Sequence, residues 1–287
     1  VKFAFMRDYR SEFPVDTMCE VFEVSRSGFY RWLKEPIGRR ELRDQLLARE
    51  IADVHATVDD NYGRTRVRHE LAGRGFPVSE NAVGRVMAKY GMRAACSRKF
   101  RVTTTDSNHA HPVAPNLLER DFRVDAPNKV WLSDITYIPT AEGFLYLAGV
   151  IDLCSRRVVG WSMQDHLRAD LALDALRMAI AGRDPEPGLI HHSDRGVQYA
   201  CGVYAAELEA ARIRASMSRK GDCYDNAPME SFWATMKKEL VHKRRFSTHA
   251  QARAAIFEWI ETTYNRTRMH SGLGYLSPER FEASRAA

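Results

Sequence analysis

Three acids stand out in the sequence because of the residues around them. Asp134 lies inside the apolar run WLSDITYIP (131–139), Asp194 ends LIHHSD (189–194), and Glu230 sits near the start of NAPMESFWATMKKEL (226–240). An ionised carboxylate in mid-strand is costly unless it is paired or bound to a cation. Asp194 falls at the carboxyl end of a strand, before a glycine-containing turn, where open α/β sheets collect ligands. Glu230 follows Asp194 by 36 positions. Hard oxygen ligands converging from two strands and a helix would make an incomplete cage for Mg²⁺ or Mn²⁺, with positions left for water and phosphate. Two such ions would activate an attacking oxygen and stabilise a leaving one. The chemistry would be phosphodiester hydrolysis or transfer. Spacing by itself is weak evidence, since 37 acids offer many accidental triplets, and an ordinary solvated helix face also accommodates Glu230.

The elements that must position these acids can be read from periodicity. Met229, Trp233, Met236 and Leu240 recur at steps of four, three and four, an apolar stripe at helical period. Asp225 or Asn226 can cap this helix, and Pro228 suits its first turn. Glu230 and Lys237 share a face offset from the stripe. Upstream, 131–139, 144–153 and 157–164 are apolar or β-branched runs separated by turns, which predicts an antiparallel meander. A helix over 168–182, strand 189–194, a helix near 200–211, strand 213–218 and a last helix opened by a Thr248-to-Gln251 capping box follow. This is an α/β order with helices on both faces, the element order of the ribonuclease H fold. The expected fold class is therefore α/β: a ribonuclease H-like core with a mixed five-stranded sheet flanked by helices, over 125–287.

Other groups near these acids have plainer readings. Asp152 ends the second run and is a rival ligand, with a second-shell or structural role favoured. Asp222 and Asp225 read as turn and cap residues. His191 and His192 point to opposite sides of a strand, so satisfied structural histidines account for them better than metal ligation.

Ahead of the core the pattern is all-helical. In PVDTMCEVFEVSRSGFYRWLK, two helical stripes flank a turn at Glu23 and Val24, and Ser25 or Ser27 can cap the second. Within 1–36 this is a helix-turn-helix pattern, in which Arg26, Ser27, Tyr30 and Arg31 are the candidates to touch DNA, or else a plain helical hairpin. Over 40–95 three more helices follow, ended by glycines at 73, 75 and 91. Residues 61–101 carry a charge of +8, including Arg64, Arg66, Arg68, Arg85 and Lys89, against +6 for the whole chain. That concentration fits phosphate contact, or a solvated surface. The stretch 96–124, with its aperiodic Thr, Asn, His and Pro, reads as a linker.

Composition narrows the classes. The hydrophobic fraction of 45% is that of an ordinary soluble protein, and no apolar run approaches the ~18 residues of a membrane span. No secretory pattern opens the chain, so the cytoplasm is the expected compartment. Five scattered cysteines without a C-x-x-C pair predict reduced thiols and no structural zinc.

With WLSDITYI, VIDLCSRRVVGW, HHSDRGVQY, KGDCYDNAPMESFWATMKKEL and YNRTRMHSGLGYLSPERF in view, the chain resembles the DDE transposases of bacterial insertion sequences. More narrowly, it is similar to the OrfB proteins of the family named after insertion sequence three, with a retroviral-integrase-like core, essentially end to end. The resemblance implies a metal-dependent transposase that cleaves element ends and transfers the 3′-OH into target DNA. It points to Asp134, Asp194 and Glu230 as ligands of two Mg²⁺ or Mn²⁺ ions when DNA is bound, and to Lys237 as a holder of terminal DNA. It also implies a bacterial, nucleoid-associated protein, a homo-oligomer on DNA, and an upstream partner, OrfA, joined by frameshifting; Val1 fits a frame junction or an alternative start codon. Arg195, Tyr264, Asn265, Arg266 and His270 are further candidates for DNA contact, or for packing of the C-terminal segment. The alternatives are a nuclease of the same fold without strand transfer and an inert DNA-binding regulator.

Overall fold

The computed structural model describes residues 1–35, 37–95, 113–219 and 223–286. The chain forms two compact units, Val1–Ala94 and Ala95–Ala287. Among the described residues, no helix is long and apolar enough to cross a membrane.

The first unit is helical throughout. Helices α1 (Lys2–Tyr9), α2 (Val15–Val21) and α3 (Arg26–Lys34) enclose Met6, Met18, Cys19 and Phe29. Ser25 caps α3, accepting the amide of Gly28 at 3.1 Å, and Glu23 takes the left-handed conformation that turns the chain between α2 and α3. The longer α4 (Arg39–Thr57) packs with α5 (Arg64–Gly73) and α6 (Glu80–Lys89). There Leu47, Ile51, Val54, Val67, Leu71, Val83 and Val86 are buried.

The second unit is built on one sheet of order β3-β2-β1-β4-β5. Strands β1 (Val130–Thr140), β2 (Gly143–Asp152) and β3 (Val158–Gln164) are antiparallel neighbours, the expected meander. After α7 (Ala169–Arg183) the chain returns as β4 (Ile190–Ser193), parallel to β1. Two short helices, α8 (Val197–Ala200) and α9 (Gly202–Ala210), stand where one was expected, and β5 (Arg214–Met217) closes the edge parallel to β4. This mixed sheet, with helices on both faces, is the ribonuclease H-like architecture.

Strand alternation divides the core in two. Leu132 and Ile138 of β1 join Leu145, Leu147 and Ile151 of β2 beneath α10 (Ala227–Glu239), whose Met229, Phe232, Trp233 and Met236 cover that face. Trp131, Ala148 and Val150 face the other way, under α7 with its Leu171, Ala175, Leu176 and Ala179. Each fully buried large side chain contributes about 1.5–3 kcal/mol. Gly160 of β3 lets α7 approach closely: a Cβ there would lie 2.2 Å from the Ala175 carbonyl. The chain ends in α11 (His249–Glu258), a wider turn over Trp259–Thr267, and α12 (Pro278–Ala286). Thr248 caps α11 as expected by accepting the Gln251 amide, but the Gln251 side chain accepts the amide of Ser247, one residue before the cap, instead of closing the box on Thr248.

Two expectations are corrected. Residues 113–124, assigned by composition to the linker, belong to the core unit; the rest of that stretch beyond residue 95 lies outside the described residues. Leu118 is buried in the α10-side core with Phe122 and Val124 against it, and the Leu117 amide donates to Ser216 Oγ at 2.9 Å. Three apolar side chains outweigh the loop-like composition around them. The second correction concerns α10: neither Asp225 nor Asn226 caps it with a side-chain hydrogen bond. Both side chains are drawn elsewhere.

Candidate active site

Asp134 and Asp194 are brought level by the β1–β4 ladder. The parallel register pairs Val130 with Ile190 and Leu132 with His192. Two residues further along each chain stand Asp134 and Asp194, where the strands begin to separate. Both side chains are half-buried. Asp194 Oδ1 accepts the amide of Gly196 at 2.9 Å, which holds the turn after β4 in place.

Glu230 is exposed in the first turn of α10, near enough for its charge to act on Asp134. The face of α10 that meets β1 carries Asn226, Glu230, Trp233 and Lys237, spaced four, three and four. Asn226 Nδ2 donates to the Ser133 carbonyl at 3.3 Å, and Trp233 Nε1 donates to Asp134 Oδ2 at 3.0 Å. These contacts flank Glu230, one turn before it and one after, and tie it to the strand that carries Asp134. The Trp233 ring fits because its neighbour on β2 has no side chain. Gly149 pairs with Asp134, and a Cβ there would meet Trp233 Cη2 at 2.9 Å.

The loop ahead of α10 is anchored independently. The Asp225 carboxylate is fully buried and accepts hydrogen bonds from Asn116, Arg120 and Arg219. Arg219 foremost, with Arg120 adding, holds it well below the usual carboxylate range. At the other end of α10, Glu239 and Arg268 form a buried ion pair at 2.9 Å.

The electrostatics are those of crowded acids. The Asp134 carboxyl is pushed up to about 8, first by loss of hydration and next by the charge of Asp194; Glu230 adds to it, while the Ile135 and Trp233 N–H groups oppose. Among the described residues no three acid, histidine or cysteine side chains form a ready-made metal cage. The donor set nevertheless suits a hard divalent cation, which would offset the lost hydration and the repulsion that together raise Asp134. Lys237 is half-buried; burial draws its ammonium below the ordinary lysine range, and Asp134 works against that. Its Nζ lies 4.8 Å from the centre of the Tyr137 ring.

The remaining candidates separate cleanly. Asp152 is fully buried and accepts the amides of Asn128, Cys154 and Ser155, so of its two expected roles the hydrogen bonds match the structural one, closing the turn after β2. His191 bonds to Ser133 and Tyr204, and His192 to Ser216 and Ser218; burial lowers them to about 3 and about 4, so both are neutral. Tyr264 packs in the core, and Asn265 donates to and accepts from the Val158 backbone, occupying the edge of β3. Packing, not DNA contact, explains those two. Arg266 is exposed beside Glu279, His270 packs against Tyr264, and Arg195 donates to the Ser218 carbonyl at 2.6 Å.

In the helical unit, Arg26, Ser27, Tyr30 and Arg31 all lie exposed on α3, Arg26 pairing with Asp16 at 3.1 Å. Arg64 pairs with Glu80, Arg66 lies over Tyr62, and Arg68 bonds to His69. Arg85 and Lys89 are exposed but engaged by acids of α4. Arg85 makes a two-pronged pair with Asp44 at 2.5 and 2.8 Å, and Lys89 reaches Glu41 at 2.5 Å. The charge count over 61–101 missed this because the neutralising acids come from α4, earlier in the chain.

The integrase core domain family matches residues 124–223 and 211–278, and an HTH-like domain family matches residues 41–100. The "Insertion element IS600 uncharacterized 31 kDa protein" of Shigella sonnei is 46% identical over 264 residues, covering 92% of this chain and 97% of the relative. The "Transposase InsF for insertion sequence IS3A" of Escherichia coli (strain K12) is 42% identical over 284 residues, 98% of each chain. Among solved structures, the simian T-cell lymphotropic virus intasome in complex with PP2A regulatory subunit B56 gamma aligns with a TM-score of 0.48 at 16% identity, covering 81% of this chain and 74% of that one.

Proposed function

The chain belongs to the transposase family of insertion sequence IS3, and on that premise we propose that Asp134, Asp194 and Glu230 are its catalytic carboxylates. The observation that supports this reading is the pair of hydrogen bonds from Asn226 and Trp233 to β1, which hold the helix that carries Glu230 across the strand of Asp134. The protein is a DNA transposase; the finer reaction is cleavage at element ends followed by attack of the freed 3′-OH on a target phosphodiester.

Asp134, Asp194 and Glu230 would hold Mg²⁺ or Mn²⁺, two ions once DNA is bound, supplying activation of the attacking oxygen and charge stabilisation on the leaving one. The chain's own residues do the rest. Trp233 and the Ile135 amide orient the two oxygens of Asp134. Gly196 orients Asp194. Lys237, on the same face of α10 as Glu230, neutralises a phosphate of the bound strand. The exposed face of α3 and the α5 arginines serve as phosphate and groove contacts, with 1–36 and 40–95 as DNA-binding modules. The reading also includes action at the bacterial nucleoid, in the cytoplasm, a homo-oligomer on DNA, and OrfA as frameshift partner.

The test is a labelled duplex bearing the inverted repeat that flanks the gene, incubated with Mg²⁺ and the full-length protein. Joined products are expected, and D134N, D194N and E230Q should each abolish them. Nicks without joined products would favour a nuclease of the same fold, and unimpaired joining by the three variants would overturn the assignment.

A further inference from the structure

The β1–β2 hairpin carries an aromatic patch that the carboxylate chemistry does not use. Tyr137 pairs with Tyr146 and Pro139 with Phe144, so Tyr137, Phe144 and Tyr146 share one face of the hairpin. The rings of Tyr137 and Phe144 meet edge to face with centroids 5.0 Å apart. Phe144 is 52% exposed, while the tyrosines are half-buried. A single exposed phenylalanine is unremarkable. This one continues a row that leads inward, because the Lys237 ammonium rests over Tyr137 and also feels the charge of Asp134. The row therefore runs from exposed ring to half-buried ring to the Lys237 cation, which α10 carries from the side of β1 that Asp134 faces.

We propose that Tyr137 and Phe144 form a stacking shelf for an unpaired base of the DNA strand whose phosphodiester is held at the carboxylates, an inference that rests on the assignment of Asp134, Asp194 and Glu230. Every base has a π face that stacks on an aromatic ring without sequence preference, and a cation at the inner end of the row suits the adjoining phosphate. A base inside a duplex reaches such a ring only by leaving its own stack. Stacking on Phe144 offsets part of that cost and favours opening of the duplex beside the bond to be cut. A protein partner seated on the same rings would cover the Lys237 charge without neutralising it, which favours the nucleic acid.

The experiment uses the full-length protein and a duplex with the flanking inverted repeat, carrying 5-iodouracil at successive positions within a few nucleotides of the cleavage site. Irradiation is expected to join the DNA to a peptide spanning 137–146. Phe144→Ala should lose that adduct and slow cleavage roughly 10- to 100-fold, whereas Phe144→Trp should keep both, reflecting the value of one stacked base. Thermal melting of each variant separates this from misfolding. Unchanged crosslinking and cleavage in Phe144→Ala would overturn the shelf, as would a changed oligomeric mass with an unchanged adduct, which marks a protein contact instead. D134N, run in parallel, is expected to crosslink without cutting; cleavage by D134N sinks the carboxylate assignment, independently of what Phe144 does.

Discussion

The indole N–H of Trp233 donates to Asp134 Oδ2 at 3.0 Å, while its ring lies on Gly149, the residue paired with Asp134 across the strands. One side chain thus fixes the carboxylate and the distance between α10 and the sheet. Glu230 is three residues away on the same helix. Its position depends on this contact.

Trp233→Phe keeps an aromatic side chain but removes the donor and the indole atoms that lie on Gly149. A hydrogen bond to a charged group is worth about 1.5–3 kcal/mol, so turnover should fall roughly 10- to 100-fold. The melting temperature should fall modestly as well, because the smaller ring leaves space over Gly149. Turnover within twofold of wild type would show that the indole only fills space.

Gly149→Ala pushes on that ring. A Cβ 2.9 Å from Cη2 forces Trp233 to shift, and overpacking of this kind costs about 1–3 kcal/mol. Stability and strand transfer are expected to fall together, as measured by denaturant unfolding and product formation. Pairing Gly149→Ala with Trp233→Phe should relieve much of the steric loss, because Cη2 and Cζ2, the ring atoms that clash, are absent from phenylalanine.

The raised Asp134 makes the metal-free protein sensitive to alkali. Its folded value of about 8 lies above the unfolded value near ~4, so the folded state holds the extra proton between them. Stability from this group is complete below pH ~4 and is lost as pH rises through about 8. In EDTA, wild type should melt at lower temperature at pH 9 than at pH 5, and D134N should show less of that decline. Added Mg²⁺ should raise the wild-type melting point at pH 9 by binding the folded state. Identical pH profiles for the two proteins would contradict the crowding of acids described above.

Arg85 gives the opposite sign in the helical unit. Its guanidinium holds Asp44 down to about 2, so the pair supports folding above the ordinary aspartate range and ceases to as pH falls through about 2. Arg85→Ala should lower the melting temperature and leave the salt dependence of DNA binding unchanged. A salt slope reduced by about one would return Arg85 to the DNA surface.

The sequence alone determined the parts of this protein that follow from local periodicity. Alternating apolar runs placed β1 to β3, steps of three and four placed α10, and Ser25 and Thr248 marked helix starts that the structure caps as expected. Asp134 and Asp194 were legible because a charged residue within or just after an apolar strand is chemically conspicuous. Tertiary structure alone decided what these residues meet. Trp233 looked like one more member of an apolar stripe, and Asn226 like a cap; that both reach β1 on either side of Glu230 depends on how α10 lies across the sheet. Arg85 looked available until α4 supplied Asp44, and residues 113–124 looked like linker until Leu118 found the core. The physical reason is common to all of these. Periodicity reports which face of an element is buried, whereas these hydrogen bonds and ion pairs, in the helical unit and around the site alike, join residues roughly 40 to 110 positions apart, and folding alone brings them within reach.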